Sequence, residues 1–239
     1  QTTFNSQFTQ SIQLRPAAVW ANKQGLRRFV ARFSDVAMFR SQVKQQNLGF
    51  NPFSMDLTDS NMVAKTMNFN NTFSFNKSTS PFAFDFVLQA SQNKNLLYYG
   101  YEFNQSSTQQ LVLKSAPCKA LSLQVVGLRC VNENKSQCME GRDFRVLQFG
   151  LSGGAHLQFQ NRYVAEVKYS YRDKQNTESV EKVREQDVEL SLSLKMAKKG
   201  VLTGSARYIG IAGNAGRNNA VSYQLLQGLA EGNNAVWSL

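Results

Sequence analysis

Period-two alternation of apolar and polar side chains runs through most of this chain. Phe82, Phe84, Phe86, Leu88 and Ala90 alternate with Ala83, Asp85, Val87, Gln89 and Ser91. Leu147, Phe149, Leu151, Gly153, Ala155 and Leu157 alternate with Gln148, Gly150, Ser152, Gly154, His156 and Gln158. Tyr163, Ala165, Val167, Tyr169 and Tyr171 oppose Val164, Glu166, Lys168, Ser170 and Arg172. Val188, Leu190, Leu192, Leu194 and Met196 oppose Glu189, Ser191, Ser193 and Lys195. Weaker versions occur at Met67, Phe69, Phe73 and Phe75, and at Leu121, Leu123 and Val125. Successive side chains on a strand point to opposite faces, so each run has one apolar and one polar face. Leu26, Phe29, Val30, Phe33, Val36 and Ala37 fit helical spacing equally well, but their neighbours argue for a strand.

The pattern predicts strands near 5–19, 26–39, 65–76, 81–91, 107–115, 119–131, 144–158, 162–172, 185–197 and 200–211, with a last one beginning near 234. The connections at 21–25, 77–80, 116–118, 159–161 and 198–199 are short, and those at 40–64, 92–106, 132–143, 173–184 and 212–233 are long. In an up-and-down meander this alternation puts every short turn at one end and every long loop at the other. Outer-membrane barrels have that asymmetry, and strands of about 9–11 residues cross the hydrocarbon when tilted. In lipid every backbone donor and acceptor must be paired, so a spanning sheet closes on itself and turns its apolar face outward. The chain therefore reads as one all-β domain over 1–239, an antiparallel up-and-down meander and an outer-membrane β-barrel of about twelve strands. A soluble β-sandwich or a large single sheet is the alternative, since both also alternate, although sandwich strands run to only about 5–6 residues.

Composition narrows the classes. Charged residues are 18% of the 239, so the polar faces are built largely from Asn, Gln, Ser and Thr. No apolar run is long enough for a transmembrane helix. Lys and Arg outnumber Asp and Glu 27 to 16, a net charge of +11. They are scattered rather than interleaved with aromatics in a stripe, so nucleic acid is not expected as a partner. The single histidine, His156, excludes multi-histidine metal sites, and no cofactor is expected. Cys118, Cys130 and Cys138 are an odd number; Cys130 and Cys138 either close a small loop in an oxidising compartment or stay reduced.

Three segments carry a resemblance. The run from Phe29 to Ser34, the Phe50-Asn-Pro-Phe53 motif and the late run from Tyr223 to Gly232 resemble the C-terminal region of large, poorly characterised cell-envelope proteins of Bacteroidota. That family's late run reads aromatic-x-x-Leu-x-Gly-Leu-x-x-Gly before an aromatic strand, and Tyr223, Leu226, Gly228, Leu229, Gly232 and Trp237 occupy those positions here. The resemblance implies a β-barrel-like terminal region ending in one further hairpin. Ten full strands, a partial eleventh and that missing partner make the even number expected of bacterial barrels.

His156, Glu166, Lys168, Arg172, Glu189 and Lys195 share polar faces and are candidates for lining a lumen, as a charged ladder or a selectivity filter. Ser152 lies four residues from His156, about 13 Å along one strand, so a serine–histidine triad needs residues from neighbouring strands. Gly153-Gly154 suggests a bend or bulge. The run from Ile211 to Gly216 is Gly-rich but lacks the following Lys-Ser/Thr of a phosphate cradle. Aromatics such as Trp20, Tyr98, Tyr99, Tyr101, Tyr171 and Trp237 fit an interfacial girdle. The stretch 217–233, with Tyr223, Leu226, Gly228, Leu229 and Gly232, is the candidate interaction loop: it docks another protein or folds into the barrel mouth. The expected function is that of a non-enzymatic, membrane-anchored structural or interaction subunit in the outer membrane of a Gram-negative cell, with lipid and other envelope proteins as partners. An outer-membrane pore or transport protein, or a soluble β-sheet binding module, is the alternative.

Overall fold

The structure, a computed structural model of the chain, describes residues 2–15, 29–43, 62–76, 82–160, 162–196, 200–215 and 220–238. Among them, eleven strands form one sheet: β1 (Thr2–Leu14), β2 (Phe29–Val43), β3 (Met62–Asn76), β4 (Phe82–Leu97), β5 (Gly100–Cys118), β6 (Leu121–Ser136), β7 (Phe144–Phe159), β8 (Tyr163–Asn176), β9 (Lys182–Met196), β10 (Gly200–Asn214) and β11 (Gly232–Ser238). Each strand pairs antiparallel with the next, so the sheet is an all-β up-and-down meander. Among the described residues β1 pairs with β2 alone and β11 with β10 alone. The segment with mixed periodicity is strand β2. One helix, α1 (Ala220–Leu226), lies between β10 and β11.

Several strands outrun their apolar pattern. The loop expected at 92–106 is instead the distal arms of β4 and β5, closed by a turn at Tyr98 and Tyr99. Their register continues through Gln92↔Gln105, Asn93↔Asn104 and Asn95↔Glu102. Leu96, Leu97, Tyr101 and Phe103 are the few apolar side chains there and most of the others are polar on both faces, so alternation is too short to read while the backbone ladder carries on. The same reason moves the end of β6 to Ser136 and of β8 to Asn176, and the start of β9 to Lys182. The expected sorting of connections by length is accordingly weaker. The turns at 119–120 and 160–162 are short as expected, but the opposite end mixes the tight turn at Tyr98 and Tyr99 with connections at 137–143, 177–181 and 215–231. No bulge occurs at Gly153-Gly154; the register shifts are at Arg40/Ser41 and Ser115/Cys118. The connections at 21–25 and 77–80, the Phe50–Phe53 motif and Trp20 lie outside the described residues.

Register aligns like with like. Phe73, Phe86, Leu111, Gly127, Leu151 and Tyr171 form one row across β3 to β8. Val167, Leu190 and Ala206 form another across β8 to β10. The Phe75 and Phe84 rings stack at 5.4 Å and Phe73 and Phe86 stand 6.3 Å apart. These rows build one apolar band over the half of the sheet nearest the 119–120 and 160–162 turns. It lies open: Phe82 is 65%, Leu151 59% and Leu192 51% exposed. Beyond adjacent strands, the described elements in contact with the sheet are α1 and a 3₁₀ turn (Glu140–Arg142), so no second layer covers the Phe82–Leu88 row among the described residues.

The opposite face is polar. Cross-strand hydrogen bonds join Thr66 Oγ1 to Asn93 Oδ1 (3.1 Å), Ser91 Oγ to Asn68 Oδ1 (2.7 Å) and Ser106 Oγ to Asn132 Oδ1 (2.7 Å). The packed hydrophobic cluster also sits on this face, at the distal end, where Phe144, Val146, Val183, Ile209 and Ile211 meet Val221 and Leu225 of α1. Gly213 beside it has φ +153, and a Cβ there would run into the Lys182 carbonyl oxygen and the Val183 Cα. Gly213→Ala is therefore expected to cost about 1–3 kcal/mol. Gly153→Ala, whose Cβ would meet nothing within 4 Å, should be near neutral by comparison. Urea unfolding of both variants checks this.

Candidate functional site

The six residues expected to line a lumen share the polar face. On β7 and β8, His156 stands opposite Glu166, Gly154 opposite Lys168 and Gly150 opposite Arg172. On β9, Glu189 stands between Lys168 and Arg207, while Lys195 lies opposite Val201 near the 197–199 connection. A groove of about 410 Å³ runs along this face over β6 to β8, floored by Gly150 and Gly154 and walled by Gln124, His156, Glu166, Lys168 and Arg172. Replacing either floor glycine with a larger residue would raise the floor, since the row of side chains is interrupted only there.

The register also sets Ser122 and Glu166 on either side of His156, one strand away on each flank. The order serine, histidine, carboxylate matches that of a hydrolytic triad. No hydrogen bond joins any two of the three, and Ser122 and Glu166 are exposed. The row is thus a line of polar side chains one strand apart, with Ser122 and Glu166 open to solvent.

The tightest electrostatics lie one step further along the same face. Arg172 Nη1 donates to Glu185 Oε1 at 2.7 Å, and Lys174 Nζ sits 3.0 Å from Glu185 Oε2. Arg207 grips Asp187 with two bonds, Nε at 3.0 Å and Nη2 at 2.7 Å. Lys174 is 0% exposed and Glu185 4%, so this pair is held away from water. Of the expected charged ladder, Arg172 is in an ion pair; its partner Glu185, and Lys174, Asp187 and Arg207, were missed as lining residues. Carrying the period of two from Arg172 to Lys174, and from Glu189 back to Asp187 and Glu185, would have found three of these four.

Lys174 also ties down the helix. Its Nζ donates to the Leu225 carbonyl at 2.9 Å. That carbonyl belongs to the last turn of α1, where carbonyls lack an intrahelical partner and a cation is favourable. Val221 and Leu225, four apart, share one side of the helix and are buried in the cluster. Gln227 at φ 53 and Gly228 at φ 80 end the helix with left-handed residues. Gly232, at φ 108, opens β11. In the candidate interaction loop, Leu226 and Leu229 pack against the cluster, while Tyr223 is 69% exposed. The described part of the loop thus folds back over the distal end of the polar face and leaves the tyrosine outward. All three cysteines are free, so Cys130 and Cys138 close no loop.

Compared with family models, curated proteins and solved structures, the chain matches none of them.

Proposed function

We propose that this chain is the membrane-embedded wall of an outer-membrane β-barrel whose role is anchoring and interaction rather than chemistry. One observation carries the reading. Among the described residues, a single-layer sheet presents a mostly apolar band that nothing covers on one face and Asn, Gln, Ser, Thr and paired charges on the other. In water that arrangement leaves large apolar surface unburied, which soluble monomers avoid. In a bilayer it is the stable orientation. The band also has a suitable height: the run from Phe149 to Phe159, at about 3.3 Å per residue and a tilt of about 40°, stands about 25 Å tall. Phe82, Phe159 and Tyr163 mark one edge of it, and Phe149, Tyr171 and Tyr208 the other, in the manner of interfacial girdles.

The anchor is favoured over the open pore because α1 occupies the distal end of the polar face and is tied there by Lys174. The test is to dilute the urea-unfolded full chain into phosphatidylcholine vesicles. The strands should form and the protein should float with the vesicles and resist carbonate extraction. A folded, monodisperse chain in plain buffer would overturn the membrane reading. In planar bilayers the anchor passes no steady current; an ohmic channel would overturn the anchor and leave the pore.

A further inference from the structure

We propose that the outward face carries a seat for one anionic lipid, with an acyl chain lying across Gly127 and the headgroup phosphate on Arg129. The proposal rests on the membrane reading above and adds to it a specific lipid contact.

Gly127 interrupts the apolar band. It stands on β6 between Leu111 of β5 and Leu151 of β7. A Cβ built on it would meet nothing within 4 Å. The missing side chain leaves an apolar depression of about 460 Å³ walled by Phe86, Leu111, Phe149, Leu151 and Tyr171. Every other strand from β4 to β8 puts a large side chain on this row, so the depression lies over β6 between Val125 and Arg129. An acyl chain has the width and chemistry to fill it, and in a bilayer acyl chains are what it would meet.

Arg129 supplies the headgroup contact. It is two residues along β6 on the same face, about 7 Å further toward the edge of the band. It is exposed, stands between Gln109 and Phe149, and makes no ion pair with a described residue. The carboxylates nearest Arg129 on this face are already engaged. Asp173, two strands away on the same row, is held by Lys182 at 3.1 Å. Glu133, four residues along β6, is held by Lys135 at 2.6 Å and Arg145 at 3.8 Å. Arg184 lies beyond Asp173 on that row. The edge of the band above the depression is therefore net cationic, and of its guanidiniums without an ion pair among the described residues Arg129 stands directly above the depression. A guanidinium at the headgroup level, with an apolar trough directly below it, complements a phosphate joined to a hydrocarbon tail.

The experiment uses the full chain in vesicles of phosphatidylcholine with a minority of phosphatidylglycerol, gently extracted and weighed by native mass spectrometry. Wild type should retain one phosphatidylglycerol per chain in preference to phosphatidylcholine. Gly127→Leu, which fills the trough, and Arg129→Gln, which removes the cation, should each lower that retention about tenfold, while both variants still float with vesicles. Equal retention in all three proteins, equal retention of the two lipids, or a second copy of the chain in place of lipid would overturn the seat and leave the membrane reading standing. A wild-type chain that never enters vesicles would overturn both.

Discussion

Arginine at position 190 is expected to destabilise the chain in a bilayer by about 2–4 kcal/mol, while arginine at position 191 costs about 0.5 kcal/mol or less. The two residues are neighbours on β9 with opposite surroundings. Leu190 belongs to the apolar row with Val167 and Ala206, in the middle of the band. Ser191 belongs to the polar row with Glu166 and Ser205. A cation at 190 must leave water for hydrocarbon near the bilayer centre, whereas one at 191 stays hydrated and gains Glu166 as a neighbour. Urea titration of Leu190→Arg and Ser191→Arg in vesicles measures both costs. Similar values would mean that the apolar face does not meet lipid. A detergent-free fold that tolerates both would point the same way.

The second large effect is at Lys174. Lys174→Met keeps the length of the side chain but deletes the cation that holds Glu185 at 3.0 Å and the Leu225 carbonyl at 2.9 Å. Glu185 retains Arg172, so the charge is left half-compensated rather than bare. The expected loss is about 3 kcal/mol, at the lower end of what breaking a buried ion pair costs. The helix should loosen with it, because the last turn of α1 loses the hydrogen bond from Lys174. Two readouts separate these parts. Urea unfolding reports the total, and limited proteolysis within 215–231 reports release of the loop. Adding Glu185→Gln to Lys174→Met removes the stranded carboxylate and should recover part of the stability while the loop stays cleavable. A single variant as stable as wild type would show that the pair contributes nothing net, as some buried ion pairs do not.

The two predictions draw on different parts of what the sequence reveals. The Leu190–Ser191 contrast was legible directly, because period-two alternation assigns a face to every residue of a strand without knowledge of its partners. His156, Glu166, Lys168, Arg172, Glu189 and Lys195 were placed on polar faces in the same way, and the register confirms one shared face. The arms at Gln92–Leu97 and Gly100–Ser107 were not legible. Most of their side chains are polar on both faces, and Tyr101 and Phe103 are too few to set a period, so only pairing with a neighbour makes them strand. Helix α1 was missed for a related reason. Seven residues are two turns, too few for a periodic signal, and only Val221 and Leu225 at a spacing of four hinted at it.

What the sequence determined by itself, then, is the succession of strands, the meander and which residues face the same way, since these follow from local backbone geometry. What only the tertiary structure decided is who stands beside whom. Register put Lys174 against Glu185, set Gly127 in a row of large apolar side chains, and brought α1 back onto β7, β8 and β9. Those contacts join residues far apart in the chain, and their energies depend on burial and distance, neither of which exists until the sheet is assembled.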